Sequence, residues 1–126
     1  MRVSVEIVRV PILLSKLNSG ELEIGSIVEF QGLVRQHERG IQIEGLMYEA
    51  YESMALKEME KILEELGKNF SCFSVEVIHR IGWVPVGEAS IYVRVCSKHR
   101  KEGFELCMRF MDLLKKDVPI WKVDRS

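Results

Sequence analysis

Cationic side chains are concentrated where a predicted helix begins. The apolar spacing predicts a helix from about Lys98 to Lys116, with Ser97 as its N-cap. Its first turn then carries four cationic or titratable residues, Lys98, His99, Arg100 and Lys101. Unpaired backbone N–H groups and the positive end of the helix dipole already lie there, so added cations indicate a site for a phosphate or carboxylate. The alternative is a set of solvated side chains that extend away from the helix terminus.

Two lysines near the end of the same helix form a second candidate site. Lys115 lies in the predicted last turn, where a cation usually only stabilises the helix dipole. Beyond Pro119, which disfavours a helical residue before it, Trp121 calls for partial burial and would hold Lys122 beside it. Lysines that converge on one pocket, or lose solvent, acquire lowered pKa values suited to proton transfer or nucleophilic work.

Other polar residues give weaker indications. Arg35 begins a polar segment that ends at Gly40, for which a solvated turn is the simplest interpretation. His79 is expected to be a hydrogen-bonded strand histidine. No second histidine or carboxylate lies at metal-ligand spacing, so neither a metal site nor a cofactor is predicted. The three cysteines, Cys72, Cys96 and Cys107, form no CxxC pair and indicate neither a disulfide framework nor a zinc site.

Composition limits the functional classes. The 126 residues suit one domain, 1–126, with 47% hydrophobic and 29% charged residues. A formal net charge of -1 gives no global attraction to nucleic acid or to an acidic membrane. No apolar stretch approaches the roughly 18 residues of a membrane span, and Glu6 and Arg9 interrupt any signal-peptide core. A cytoplasmic protein is therefore expected.

The elements that must position these residues follow from periodicity. Alternation and β-branched residues predict strands, and polar or glycine-rich stretches predict the turns between them. The first half contains a strand Val3–Val8, a short helical or irregular segment Ile12–Leu17, a turn Asn18–Gly20, and a strand Ser26–Arg35 that returns as a hairpin through Ile41–Tyr48. Gly32 indicates a bulge or a close backbone approach within the long strand.

The second half adds two amphipathic helices. The first is predicted over Met54–Leu66, with Ser53 as N-cap and Gly67 as a left-handed closing residue. Strands around Val75 and over Ala89–Val95 follow, separated by a turn at Pro85–Glu88. The buried stripe of the second helix is predicted as Phe104, Cys107, Met108, Met111 and Leu114, with an extended tail after Pro119. Strand hairpins packed with two helices define the α+β class.

Four motifs, in order over nearly the whole chain, resemble the family of molybdopterin synthase large subunits. They are Phe30–Arg35, Val77–Gly82, Ser97–Arg100, and Met111–Lys115 continuing to Pro119–Lys122. The resemblance implies an α/β-hammerhead fold. Ile120, Asp124 and a short stretch after Lys122 depart from the common family pattern, which puts contacts of the C-terminal tail and partner affinity in doubt.

The resemblance also implies an activity and its residues. Family members form a homodimer, within a heterotetramer, that binds a thiocarboxylated ubiquitin-like small subunit and transfers its sulfur to cyclic pyranopterin monophosphate. By matching motifs, Arg35, His99 and Arg100 are expected to bind the substrate, and Lys115 and Lys122 to be catalytic. Two alternatives stay open, a phosphate-binding module without chemistry and a scaffold for a ubiquitin-like partner.

Overall fold

The computed structural model describes residues 1–17 and 20–123. The turn predicted at Asn18 and Ser19, and the departure at Asp124, lie outside the described residues. In chain order the elements are β1 (Arg2–Val8), β2 (Ser26–Leu33), β3 (His37–Glu38), β4 (Ile41–Gln42), β5 (Gly45–Ala50), α1 (Glu52–Gly67), β6 (Ser74–Arg80), β7 (Gly82–Pro85), β8 (Ala89–Ser97), α2 (Arg100–Asp117) and β9 (Ile120–Val123).

A four-stranded sheet in the order β1-β6-β8-β2 supports the two helices. The β1–β6 pair is parallel, and the β6–β8 and β8–β2 pairs are antiparallel. Alternate residues of β6 and β8, such as Val77 and Val93, are fully buried in the core with Met59 of α1 and Phe110 of α2. Burying these apolar faces is the main favourable contribution to folding.

A smaller sheet in the order β7-β5-β9 lies beside the first. Both β7 and β9 pair with β5 in antiparallel fashion, and β9 places Lys122 opposite Tyr48 and Ile120 opposite Ala50. A second apolar cluster of Val34, Leu46 and Val84 anchors this sheet. The mixed sheets and two helices confirm the predicted α+β class.

Several local predictions are confirmed. The first strand, the irregular segment before Leu17 and the extended tail after Pro119 lie where they were predicted. The sheet register shifts between Gly32 and Leu33, and a Cβ on Gly32 would lie 2.6 Å from Cγ2 of Ile91. Gly32 is therefore both the predicted bulge and a close approach. Gly87 has a φ of 88°, which accounts for the glycine in the predicted turn.

The predicted long hairpin is wrong. The strand from Ser26 pairs with β8, and its supposed return strand instead pairs with β7 and β9. A short hairpin of two-residue strands, His37–Glu38 with Ile41–Gln42, forms at the tip. The short strand Gly82–Pro85 was not predicted; it begins at a glycine, Gly82, with a φ of 84°, and ends at a proline. Alternation identifies strands but not their partners, which depend on contacts distant in sequence.

The predicted ends of the first helix are also wrong. The helix begins at Glu52, since Ala55 N–H donates to the carbonyl of Tyr51 at 2.8 Å, and Ser53 lies inside it without capping it. Gly67 is its last residue and does not adopt a left-handed conformation. A Cβ there would lie 2.7 Å from Cε of Met1, so the missing side chain makes room for the N-terminus.

The second helix begins later than predicted, and its buried face is only partly the predicted one. Its N-cap is His99, and Ser97 remains in β8 with its hydroxyl donating to the His99 carbonyl at 2.6 Å. The buried residues are Gly103, Leu106, Cys107, Phe110 and Leu114. Of the predicted stripe, Cys107 and Leu114 are buried and Met111 packs against the core. Phe104 and Met108 are instead 58% and 68% exposed. Apolar residues lie on two adjoining faces of this helix, so the spacing alone did not identify the inner one.

Candidate active site

Lys115 and Lys122 line one cavity of about 290 Å³. The cavity lies between the end of α2, strands β5 and β9, and the ends of β2 and β8. Its apolar walls include Phe30, Leu33, Ile91, Met111, Leu114 and Ile120. Two ammonium groups at an apolar cavity suit an anionic ligand, because charge interactions strengthen where water is excluded. We call this cavity the lysine pocket.

The chain reversal after α2 brings the two lysines together. Val118 leaves the helix in an extended conformation (φ -88°, ψ 131°), and its N–H still donates to the Leu114 carbonyl. Pro119 then passes the chain to β9, whose pairing with β5 aligns Lys122 with Tyr48. Lys115 and Lys122 therefore lie on either side of the bend at Pro119 and meet at one cavity, as expected.

Trp121 contributes to this arrangement. Its ring centroid lies 5.0 Å from that of Tyr51, tilted by 60°, and its side chain is 38% exposed. It lines the lysine pocket and also a second cavity of about 410 Å³, bordered by Tyr51 and Gly82. The aromatic contact helps to hold β9, and with it Lys122, against β5.

The two lysines differ in their surroundings. Nζ of Lys122 lies 3.5 Å from Oε1 of Glu38, a contact that links the pocket to the two-residue hairpin. Lys122 also borders a neighbouring cavity of about 260 Å³, beside Glu38 and Arg39. Lys115 is exposed and forms no salt bridge with any residue in the described ranges. It is therefore the less restrained of the two cations.

His79 belongs to the lysine pocket, although the sequence indicated only a structural histidine. Its side chain is 6% exposed on the central strand β6, and Nδ1 lies 2.9 Å from the carbonyl oxygen of Arg80. Burial lowers the pKa of His79 to about 4, while that backbone bond opposes the shift. In the sequence, the position of His79 within the Val77–Gly82 motif was the one feature that could have marked it as a site residue. Its place in the pocket depends on tertiary packing, which the sequence did not reveal.

His99 and Arg100 lie far from the lysine pocket within one chain. Both are exposed at the start of α2, and Lys115 lies in its last turn. Fifteen residues of helix separate Arg100 from Lys115, which corresponds to about 22 Å along the helix axis. Only Arg100, Lys101 and the acidic Glu102 occupy the first turn, so the predicted run of four cations there is wrong.

Arg35 is likewise not part of the pocket. It is exposed just beyond β2, outside the residues that line the cavity. The structure therefore brings together two of the five predicted site residues, Lys115 and Lys122.

A larger cavity, beside Arg94, is a weaker candidate for the functional site. A space of about 490 Å³ opens over the face of the central sheet that the helices leave uncovered, beside Arg2, Glu76 and Arg94. Arg94 is already bound by Oε1 of Glu76 at 2.6 Å and by the Ser15 carbonyl at 2.8 Å. The charge of Arg94 is therefore balanced within the protein. The smaller lysine pocket, with two cations at its wall, is the better candidate for binding an anion and for catalysis.

Residues 1–17 and 20–123 hold neither a metal-binding cluster nor a helix that could span a membrane. No cluster of three or more His, Cys, Asp or Glu side chains there is arranged to hold a metal ion. None of the helices in this part of the chain combines the length and apolarity needed to span a membrane.

Comparison with known proteins assigns the fold and the family. The model of the MoaE protein family matches residues 7–117. The molybdopterin synthase catalytic subunit of Pyrococcus abyssi is 48% identical over 98 residues, covering 78% of this chain and 66% of that protein. The corresponding subunit of Thermoplasma volcanium is 39% identical over 102 residues, covering 81% and 74%. The aligned region thus spans two thirds to three quarters of these relatives.

Solved structures agree with the sequence matches. Molybdopterin synthase from Staphylococcus aureus superposes with a TM-score of 0.85 at 30% identity, covering 96% of this chain and 91% of that one. A complex of subunits 1 and 2 of the molybdopterin-converting factor from Helicobacter pylori gives a TM-score of 0.74 at 25% identity, with coverages of 95% and 83%.

Proposed function

This chain belongs to the MoaE protein family, and on that premise we propose that it is the catalytic subunit of a molybdopterin synthase. It transfers sulfur from a thiocarboxylated ubiquitin-like small subunit to cyclic pyranopterin monophosphate. Two such transfers form the dithiolene of molybdopterin. The observation that carries this proposal is the convergence of Lys115 and Lys122 on one apolar-walled pocket.

The lysine pocket suits the thiocarboxylate of the partner. The family resemblance implies a partner whose C-terminal Gly-Gly ends in the thiocarboxylate. Such an extended glycine segment is narrow enough for a cavity of about 290 Å³, and its terminal anion meets two ammonium groups there.

In the first transfer, sulfur attacks the side-chain carbon that carries a phosphate ester oxygen, the C–O bond breaks, and the opened phosphate keeps that oxygen while a thioester forms. In the second transfer, sulfur replaces the oxygen on the neighbouring carbon, which leaves as water. Water then cleaves each acyl–sulfur bond and returns the partner's carboxylate. Negative charge develops on the acyl oxygen during cleavage, where a preorganised cation is most effective.

We assign a different role to each lysine according to how firmly other residues hold its side chain. Lys115, exposed and without a salt bridge among the described residues, moves a proton or handles the covalent step beside the thiocarboxylate. Lys122, held on β9 and near Glu38, stabilises the terminal glycine or the developing charge. Held in place in this way, Lys122 needs little reorganisation as the charge forms.

The substrate phosphate requires a second cationic group, supplied by Arg35, His99 and Arg100. Since His99 and Arg100 begin α2 and Lys115 ends it, one protomer does not bring them to the same point. We propose a homodimer in which His99 and Arg100 of one protomer serve the lysine pocket of the other. We call Arg35, His99 and Arg100 the phosphate clamp. In the dimer, the clamp and the lysines act at one reaction site despite the length of the helix.

An exposed apolar groove supports the homodimer. Phe104 and Met108 of α2 line a cavity of about 340 Å³ with Phe30 of β2, and the groove reaches Lys115. β2 is also the edge strand of the central sheet, with one side unpaired among the described strands. A second copy covering this face would bury the exposed apolar residues and bring its own residues close to the pocket.

Organisation and compartment complete the proposal. Residues 1–126 form one domain, since β5 and β9 of the small sheet contribute to the same pocket as α2 and β6. The protein works in the cytoplasm, where the buried Cys96 and Cys107 stay reduced as free thiols.

The test is a reconstituted reaction. The chain is mixed with its thiocarboxylated small subunit and the cyclic pterin, and dithiolene product is measured in a single turnover. Lys115→Ala should reduce the rate by at least about a hundredfold at saturating pterin and partner, because general acid–base catalysis typically contributes that much, while both ligands still bind. The matched control is Lys116→Ala, an exposed neighbour on the same helix outside the pocket. Equal rates for the two variants would refute catalysis by Lys115.

A further inference from the structure

His79 is the polar group deepest in the lysine pocket. It lies on the central strand β6, opposite Ile7 of β1 and Ile91 of β8, and only 6% of it is exposed. The ring of Tyr48 meets it edge-on, with ring centroids 5.6 Å apart and an interplanar angle of 69°. The Tyr48 ring and the hydrogen bond at Nδ1 orient the imidazole, and His79 is one of the residues that line the cavity.

The hydrogen bond at Nδ1 fixes which ring nitrogen carries the proton. Its partner at 2.9 Å is the Arg80 carbonyl oxygen, which only accepts, so Nδ1 must donate. Burial holds the pKa of His79 at about 4, and the ring is neutral near pH 7. Nε2 is then an unprotonated acceptor. Nε2 makes no hydrogen bond to a described residue. It is also not one of the fully buried polar atoms that lack a partner, so a ligand can reach it.

The other polar groups that face this cavity are mainly donors. Lys115 from α2 and Lys122 from β9 only donate, and the Ser90 hydroxyl is directed at the Gly32 carbonyl, 3.4 Å away. The Tyr48 hydroxyl on β5 is the remaining titratable group. A ligand with an anionic end satisfies the lysines, but any N–H group that it buries needs an acceptor, and an unpaired one costs binding free energy.

Resting on the function proposed above, we propose that His79 is a further substrate-contacting residue. Its Nε2 accepts a hydrogen bond from an N–H group of the ligand bound between Lys115 and Lys122. Both substrates of the reaction offer such a group. The partner's C-terminal segment carries peptide N–H groups, and the pterin carries ring N–H groups. The shared chemistry is an N–H donor placed beyond the anionic end of the ligand.

Two substitutions separate the ring nitrogens. His79→Asn places an amide N–H close to the position of Nδ1, so it retains the bond to the Arg80 carbonyl and loses the acceptor at Nε2. His79→Gln extends an amide oxygen toward the position of Nε2, so it retains the acceptor and loses the bond to Arg80. A structural role of His79 predicts that Gln is the more harmful change, whereas the proposed role predicts that Asn is.

The experiment measures affinity and thermal stability of both variants as full chains. One titration uses the small subunit in its unreactive carboxylate form, and the other uses cyclic pyranopterin monophosphate. His79→Asn should weaken one of the two ligands about tenfold, the loss expected for a buried N–H left without an acceptor, and His79→Gln should stay within about threefold of the unmodified chain. The Tm values should fall in the opposite order. The weakened ligand identifies the source of the N–H group.

Other outcomes would overturn the inference. Unchanged affinity of both ligands in His79→Asn, or a greater loss in His79→Gln, would leave His79 a structural residue. A displaced pH profile of turnover with unchanged affinities would mean that Nε2 holds a lysine ammonium instead of a ligand. Lys115→Ala serves as the reference: if it blocks turnover while His79→Asn changes nothing, the proposed function stands and the His79 inference fails. Full activity of Lys115→Ala would refute the proposed catalytic role itself.

Discussion

Arg100 and Lys115 lie at opposite ends of helix α2, separated by about 22 Å along the helix axis. Arg100 is exposed next to the N-cap His99, and Lys115 lines the lysine pocket in the last turn. A straight helix is too stiff to fold these two groups toward each other. If both act on one substrate molecule, they come from two protomers.

Complementation between two impaired variants, assayed at a substrate concentration that Arg100→Ala alone does not bind appreciably, tests this arrangement. Lys115→Ala and Arg100→Ala chains, unfolded or dissociated together and reassembled, should recover about a quarter of the unmodified activity. Random pairing makes half of the dimers mixed, and each mixed dimer holds one intact site and one doubly altered site. The measurement is product formation by the mixture relative to each variant alone.

The control for complementation uses two substitutions in the same pocket. Lys115→Ala mixed with Lys122→Ala should recover nothing, because both residues line one cavity of one protomer. Recovery by this pair, or none by the first pair despite proven mixed dimers, would contradict a site shared in the proposed way.

Arg100→Ala should weaken binding of the cyclic phosphate substrate by about 10- to 100-fold at low ionic strength. A charge-assisted hydrogen bond to phosphate contributes about 1.5–3 kcal/mol, and added salt should reduce the difference from the unmodified chain. Titration of the substrate into the dimer at two salt concentrations measures both effects. Lys57→Ala, an exposed cation on α1, is the control and should bind normally. An unaltered affinity in Arg100→Ala would remove this residue from the clamp.

Acid should destabilise the protein through His79. Its pKa is lowered from 6.5 to about 4 by burial, so the unfolded chain binds a proton that the folded chain excludes. The contribution is fully present above pH 6.5 and is lost as the pH falls toward 4, with a slope of at most about 1.4 kcal/mol per pH unit. Denaturant titrations between pH 4 and 7 measure the free energy of unfolding.

Substitution separates His79 from the carboxylates that also titrate in acid. His79→Gln should flatten the dependence on pH between 6.5 and 4, whereas His99→Gln, at an exposed position, should preserve it. A slope that survives in His79→Gln would assign the acid sensitivity to other groups.

Two methionines on α1 test the core. Met59 is fully buried between the helices and the central sheet, while Met54 is 58% exposed. Met59→Ala should lower the free energy of unfolding by about 2–5 kcal/mol through lost burial and a residual cavity. Met54→Ala should change it by no more than about 0.5 kcal/mol. Comparable losses in thermal or denaturant unfolding would mean that the burial of this helix differs from the described packing.

Much of the architecture followed from the amino-acid sequence alone. Alternation or β-branched residues identified β1, β6 and β8, and apolar spacing identified α1 as an amphipathic helix, whose buried residues include Met59, Ile62 and Leu66. The proline after Val118 ended α2 and predicted that Lys115 and Lys122 would converge. Each of these features depends on a few neighbouring residues, so local chemistry was sufficient.

Only the tertiary structure decided how these elements meet. Strand β2 pairs with β8, far away in the chain, rather than with the segment that follows it, because pairing depends on long-range packing. The exposed Phe104 and the buried Phe110 were indistinguishable by type, since α2 is apolar on adjoining faces. His79 joined the lysines because residues of β6, α2 and β9 line one cavity, and Arg100 was separated from them because a rigid helix lies between. The residues of the site carry their own chemistry, but folding in three dimensions decides which of them share a pocket.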